Sequence, residues 1–143
     1  METKAIINIT SDITDSINFS IREEMVMTQA DGTLPLEETT GLAQRTFSGT
    51  PSQVVLIDVS AVGGLTAGGA VAHKVYIRNT GTDKTKGFKI FLADATDDVE
   101  EIGTLFGQDW MLMPWLATDA NEDIMVLPSS SEKMTLEYAV FHQ

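Results

Sequence analysis

At 143 residues, 43% of them apolar, the chain is long enough to bury a core of its own without staples. Nine basic against 21 acidic residues leave a net charge of −12, the reverse of what displaces counterions from phosphate. Neither nucleic acid nor an anionic membrane is therefore expected as a partner. The absence of cysteine removes disulfides, thiolate nucleophiles, zinc ribbons and iron–sulfur ligation together.

The first segment, METKAIINITSDITDS, has one lysine and no long apolar stretch, so no signal peptide is expected. No apolar run in the chain approaches the ~20 residues that span a bilayer. Ile6, Ile7 and Ile9 are too apolar for a free tail, and turn formers follow them from Thr10 to Ser16. Residues 1–16 are expected to be an extended N-terminal arm that makes intermolecular contacts, preceding one β-sandwich domain over 17–143. Within that domain Ile17, Phe19 and Ile21 alternate with polar residues, as in a half-buried strand. A short run containing Arg45, Thr46 and Phe47 stops at Gly49-Thr50-Pro51. Residues 53–59, QVVLIDV, are apolar with little alternation and read as a central strand covered on both faces.

The glycine-rich stretch GGLTAGGA, residues 63–70, lacks the Lys-Ser/Thr pair of a phosphate loop and reads as a connector. Period-two alternation resumes at Val71, His73, Val75 and Ile77, and again at Phe88, Ile90 and Leu92. Residues 79–83, Asn-Thr-Gly-Thr-Asp, read as the hairpin connection between these two strands. Val99, Ile102, Leu105 and Phe106 fit either a helical turn or a strand, and Gly103 with Thr104 favours the strand. Trp110 to Trp115 form a further strand, and Met134, Leu136, Tyr138 and Val140 alternate in the last one. Strands that recur every eight to fifteen residues, with no interposed helices, define an all-β fold. The expected architecture is a single-domain antiparallel β-sandwich or jelly roll.

Chemistry-bearing residues are sparse. Asp94, Asp97, Asp98, Glu100 and Glu101 lack the alternating acids, central glycine and distal glutamate of an EF-hand, so they read as a solvated acidic turn. Asp119, Asn121, Glu122 and Asp123 read the same way. Of the two histidines, His73 falls on the apolar face of a strand and is expected to be buried and hydrogen-bonded; His142 lies near the end of the sequence. Lys84, Lys86 and Lys89 read as solvated turn charges. No serine sits in a nucleophile elbow. No catalytic residue, cofactor or metal ligand is expected.

The most apolar stretch is Trp110-Met111-Leu112-Met113-Pro114-Trp115. In a strand, Met111, Met113 and Trp115 share one face and Trp110 the other, so both faces are apolar. Pro114 cannot donate to a ladder and favours an edge or a strand end. An edge strand apolar on both faces invites aggregation unless something covers it, and burial in an oligomer is the simplest cover. The candidate interface residues are thus Ile6, Ile7, Ile9, Trp110, Met113 and Trp115.

VYIRNTG, FKIFLAD and DWMLMPW, followed by EDIMVLPSSSEKMTLEYAVFHQ, resemble small virion proteins of tailed bacteriophages. The shared features are a hairpin, an aromatic strand ending at a Pro-Trp pair (Pro114 and Trp115), a D-I-x-V strand (Asp123 to Val126) and a closing L-E-Y strand (Leu136 to Tyr138). The resemblance spans residues 71–142. It implies a capsid decoration (cement) protein: a homotrimer on the capsid exterior, made in the host cytoplasm, bound to the major capsid protein and without catalytic residues. A tail- or fibre-associated structural protein is an alternative within the same resemblance. A carbohydrate-binding sandwich that stacks ligand on Trp110 or Trp115 is an alternative from another class. A tryptophan buried in a core or seam would favour the structural reading, and one exposed beside polar side chains would favour the carbohydrate reading.

Overall fold

The computed structural model describes residues 3–11, 19–28, 36, 38–59, 72–93, 99–116 and 122–142. Among them are eleven strands and no helix, and every strand pairing is antiparallel. A front sheet contains β3 (Glu38–Thr39), β4 (Ala43–Phe47), β11 (Met134–His142), β6 (Ala72–Asn79) and β9 (Trp110–Leu116). β3 and β4 lie end to end along one edge of β11, and the order continues β11-β6-β9. The back sheet runs β5 (Val54–Ile57), β10 (Asp123–Pro128), β7 (Gly87–Ala93) and β8 (Val99–Phe106), in that order. With β4-β11-β6-β9 against β5-β10-β7-β8, successive strands alternate between sheets except at β7–β8, which is the double Greek key of a jelly roll. The fold is a β-sandwich, as expected.

The core lies between the sheets because inward positions recur at every second residue. β6 contributes Val75 and Ile77, β11 Leu136 and Val140, β7 Phe88 and Ile90, and β10 Ile124 and Val126, all at 1% exposure or less. Burying each such side chain stabilises the fold by about 1.5–3 kcal/mol. Phe47 of β4 and Phe88 of β7 meet across the gap with ring centroids 5.3 Å apart.

Two local readings are corrected by this topology, and a third, the strand over Val99–Phe106, is borne out. Residues 79–83 do not close a hairpin: β6 and β7 belong to different sheets, so the segment crosses from front to back. Alternation reports which side chains point inward, and it is the same for a hairpin as for a crossover. β5 is an edge strand, not a central one, paired with β10 alone among the described residues. A register shift opposite Ile124 and Met125 lets the neighbours Leu56 and Ile57 both be buried, which produces the apolar run that imitates a central strand. The helix-like spacing in β8 has a similar origin. Ile90 pairs with Gly103 and Phe91 with Glu101, so Ile102 is the extra residue of a bulge. The bulge breaks period two and leaves Ile102 exposed.

The described N-terminal residues are extended and paired within the chain, and Ile21 of the following strand is exposed instead of half-buried. β1 (Lys4–Ser11) pairs along its whole length with β2 (Phe19–Val26), from Lys4↔Val26 to Ser11↔Phe19. Residues 12–18, with Ile17, lie outside the described ones. The base of this hairpin is tied down: Met27 donates its N–H to the Thr3 carbonyl at 2.9 Å, Leu36 donates to the Met27 carbonyl at 2.8 Å, and both side chains are buried.

Candidate interaction surface

Trp115 and Met113 face inward from β9. Trp115 is buried in the intramolecular core and donates its indole N–H to the Glu122 carbonyl at 2.7 Å, while Met113 packs against the same core. Trp115, at 2% exposure, is not available to a partner, which corrects its placement at an interface; Met113 is half-buried beside it. The sandwich itself absorbs the inward apolar face of this strand, and among the described residues β9 is an edge strand, as Pro114 suggested.

The outward face of β9 is a different matter. Trp110 is 52% exposed. It stands opposite Arg78 in the β6 register, and Tyr76 lies beside it with ring centroids 6.4 Å apart at 35°. Gln108, in the β8–β9 turn, completes a hollow of about 430 Å³ lined by Tyr76, Arg78, Gln108 and Trp110. On the other side of the same two aromatic rings lies an apolar hollow of about 180 Å³. Lys4, Ile6, Ile7 and Met27 line it from the hairpin, and Leu112 and Phe141 from the front sheet. The hairpin therefore sits on the outer face of the front sheet and covers part of it. The two tryptophans fall on opposite sides of the expected test: one is core, the other is exposed beside polar groups.

Beyond its base the hairpin is largely exposed among the described residues. Ala5, Ile7 and Ile9 share a face with Ile21 and Met25, because Ala5 pairs with Met25 and Ile9 with Ile21. Ile9, Ile21 and Met25 are each between 43% and 48% exposed, and Ile6 on the other face is 59% exposed. A two-stranded ribbon in water is marginal at best, and this one carries apolar side chains on both faces.

The turn chemistry is structural. Asn79 is 1% exposed. Its amide donates to the carbonyls of Lys86 and Leu105 at 3.2 and 3.0 Å, and its oxygen accepts from Gly81 N at 3.0 Å. Its backbone bonds to Gln108 and Asp109, so one residue ties the β6–β7 crossover to the β8–β9 crossover. Gly107 is required at this junction, because a Cβ there would stand 2.5 Å from the Asp83 carbonyl oxygen. The three lysines are paired: Lys84 donates to the Gly107 carbonyl, Lys86 bridges Asp83 and Glu132, and Lys89 meets Glu101 at 2.9 Å. The Thr85 hydroxyl and N–H, followed by Lys86, hold the Asp83 carboxyl down to about 2. Glu132 first, and then Asp83, raise the Lys86 ammonium.

His73 is buried as expected, but neither ring nitrogen has a hydrogen-bond partner among the described residues. Its neighbours present rings instead: Trp115 at 6.1 Å and His142 at 6.3 Å between centroids. Desolvation, followed by the charges of His142 and Lys74, lowers its pKa to about 4. Among the described residues no group of three or more His, Cys, Asp or Glu could hold a metal ion. Asp94, Asp97, Asp98, Asp119 and Asn121, together with residues 63–70, lie outside the described residues. Gly107-Gln108-Asp109 reads as a turn in the sequence, and the structure has a turn there. Nothing in the sequence places Gln108 beside the aromatic rings.

No protein-family model and no curated protein matches the chain. The structure is similar to the crystal structure of the Yersinia pseudotuberculosis-derived mitogen, at 11% sequence identity and a TM-score of 0.43 over 74% of this chain and 86% of that one.

Proposed function

We propose that the chain is a structural protein of a phage particle, a decoration protein that binds the outer capsid surface and bridges neighbouring subunits. The phage assignment rests on the resemblance of residues 71–142. What supports an assembly role is the apolar face of the β1–β2 hairpin, where Ile9, Ile21 and Met25 stand exposed among the described residues. Such a face is stabilised by burial against another chain, and closed symmetry is the usual way to bury it without fibres. The proposed form is a homotrimer, with the major capsid protein as the further partner. The function would be mechanical, with apolar and hydrogen-bonding surface buried across capsid seams. The charge of −12 suits a position outside the shell, away from the genome. No catalytic residue is proposed.

Mass spectrometry of purified particles from a lysate containing this chain tests the reading. The expected result is a copy number that is a fixed multiple of the capsid lattice. Absence of the chain from the particles would overturn it, and a handful of copies per particle would point to the tail or its fibres instead.

A further inference from the structure

We propose that the hollow formed by Trp110, Tyr76, Arg78 and Gln108 is a binding site for a neutral pyranose sugar, within a longer glycan. It stands apart from the assembly reading, which uses the hairpin face of Ile9, Ile21 and Met25.

The chemistry of the lining carries the assignment. A pyranose presents a face of C–H bonds and a rim of hydroxyls, so it needs an exposed aromatic shelf with fixed donors and acceptors at its border. Trp110, at 52% exposure, is such a shelf on the outer face of a rigid sheet. Tyr76, inclined at 35° to it, bounds the hollow with a second ring. An amphipathic aromatic pair with one side wet is common at recognition sites because it offers large contact area at little entropic loss. Arg78 supplies donors only, and the Gln108 amide supplies both donor and acceptor. Arg78 lies 3.9 Å from the Glu137 carboxylate. That contact offsets its charge, and with a chain charge of −12 it makes an uncharged ligand a better match than a phosphate or a uronate.

Gln108 provides a separate argument. It is the only non-glycine residue with positive φ, at 71°, among the described residues. Only glycine adopts this region without penalty, and turns of this kind usually place glycine there. The position is held by its N–H bond to the Asn79 carbonyl at 2.9 Å. A side chain kept where glycine would be more stable, and aimed at the border of an aromatic hollow, is what a binding role would retain.

The two tryptophans make the test residue-specific. Indole N–H resonances of the isotope-labelled full chain would be followed while maltohexaose, cellohexaose and chitohexaose are titrated, with hexagalacturonate as the charged comparison. At least one neutral hexasaccharide should shift the Trp110 indole and leave the Trp115 indole in place, with hexagalacturonate weaker. Trp110→Ala should weaken that sugar by roughly tenfold or more. Gln108→Gly should raise the melting temperature, because it relieves the backbone, and yet weaken the sugar by roughly threefold to tenfold. That opposition separates a binding side chain from a structural one. The proposal is overturned if no neutral hexasaccharide moves Trp110, if the uronate binds more tightly, or if Gln108→Gly binds as well as the parent.

Discussion

Asn79, at the end of β6, donates its side-chain amide to the carbonyl of Leu105 in β8 at 3.0 Å, spanning from the front sheet to the back. The bond is buried, and the same amide also holds the Lys86 carbonyl. Asn79→Ala removes both donors from these carbonyls, one buried and one part-buried. The expected loss is roughly 2–4 kcal/mol, read as a lower urea midpoint with unchanged slope. A loss under about 0.5 kcal/mol would mean that water replaces the amide and that this residue does not lock the crossovers.

Gly107 tests the same junction by adding volume. A methyl there meets the backbone of Asp83 and Gly81, neither of which is a flexible side-chain end. Gly107→Ala should destabilise by about 1–3 kcal/mol. Gly103, where a Cβ would meet nothing within 4 Å, is the control, and its alanine variant should lie much closer to the parent. Thermal melts of the two variants side by side measure the difference.

His73 gives the fold a pH dependence with a defined sign. An unfolded histidine takes up a proton near 6.5, whereas burial lowers the folded-state value to about 4. Above 6.5 neither state is protonated and this contribution to stability is complete. Between 6.5 and 4 the unfolded state binds more protons, so stability falls as pH falls, by a total of about 3 kcal/mol, and levels off below that. Asp83 acts lower on the scale: its stabilising contribution is present above 3.8 and is lost as pH falls through about 2. Urea midpoints at pH 7, 5.5 and 4.5 should decline for the parent and decline distinctly less for His73→Leu. Parallel curves for the two proteins would remove His73 as the cause.

The hairpin prediction concerns association and not folding. Ile9 and Ile21 are directly paired and exposed, so Ile9→Ser with Ile21→Ser removes apolar surface without opening the sandwich core. Sedimentation should show a trimer for the parent and a monomer for the double variant, with the same β-sheet circular dichroism. A parent that is monomeric at micromolar concentration, or a double variant that still assembles, counts against the hairpin as the contact.

Much of the fold was legible because burial in a sandwich writes period two into the chain. His73, Val75 and Ile77, or Leu136 and Val140, announce their strands without ambiguity. Partner choice left no comparable mark. Nothing in residues 79–83 distinguishes a turn back along the same sheet from a step across to the other, since that depends on Asn79 finding Leu105 far along the chain. Bulges misled for a related reason. An extra residue at Ile102 shifts the inward face by one, and two adjacent inward residues at Leu56 and Ile57 look like a strand covered on both sides. At the candidate surface, composition identified Trp110 and Trp115 as notable, but both lie in one short strand. Only alternation within β9 decides that one is core and the other open, and only pairing with β6 brings Tyr76 and Arg78 beside the open one.

The placement of β11 has a consequence for how the chain reaches this state. The strand nearest the end of the sequence occupies the interior of the front sheet, with β4 on one side and β6 on the other. Gln44 waits for Glu137, which lies 93 residues later, before their side chains can bond at 2.8 Å. Contacts of such long sequence separation place the chain among slow folders, because loop closure precedes any return from pairing. During synthesis β4 and β6 emerge with the edges that β11 will fill still open, and those edges are templates for other chains. The vulnerable interval in the life of this protein is thus the time between making β4 and β6 and making β11.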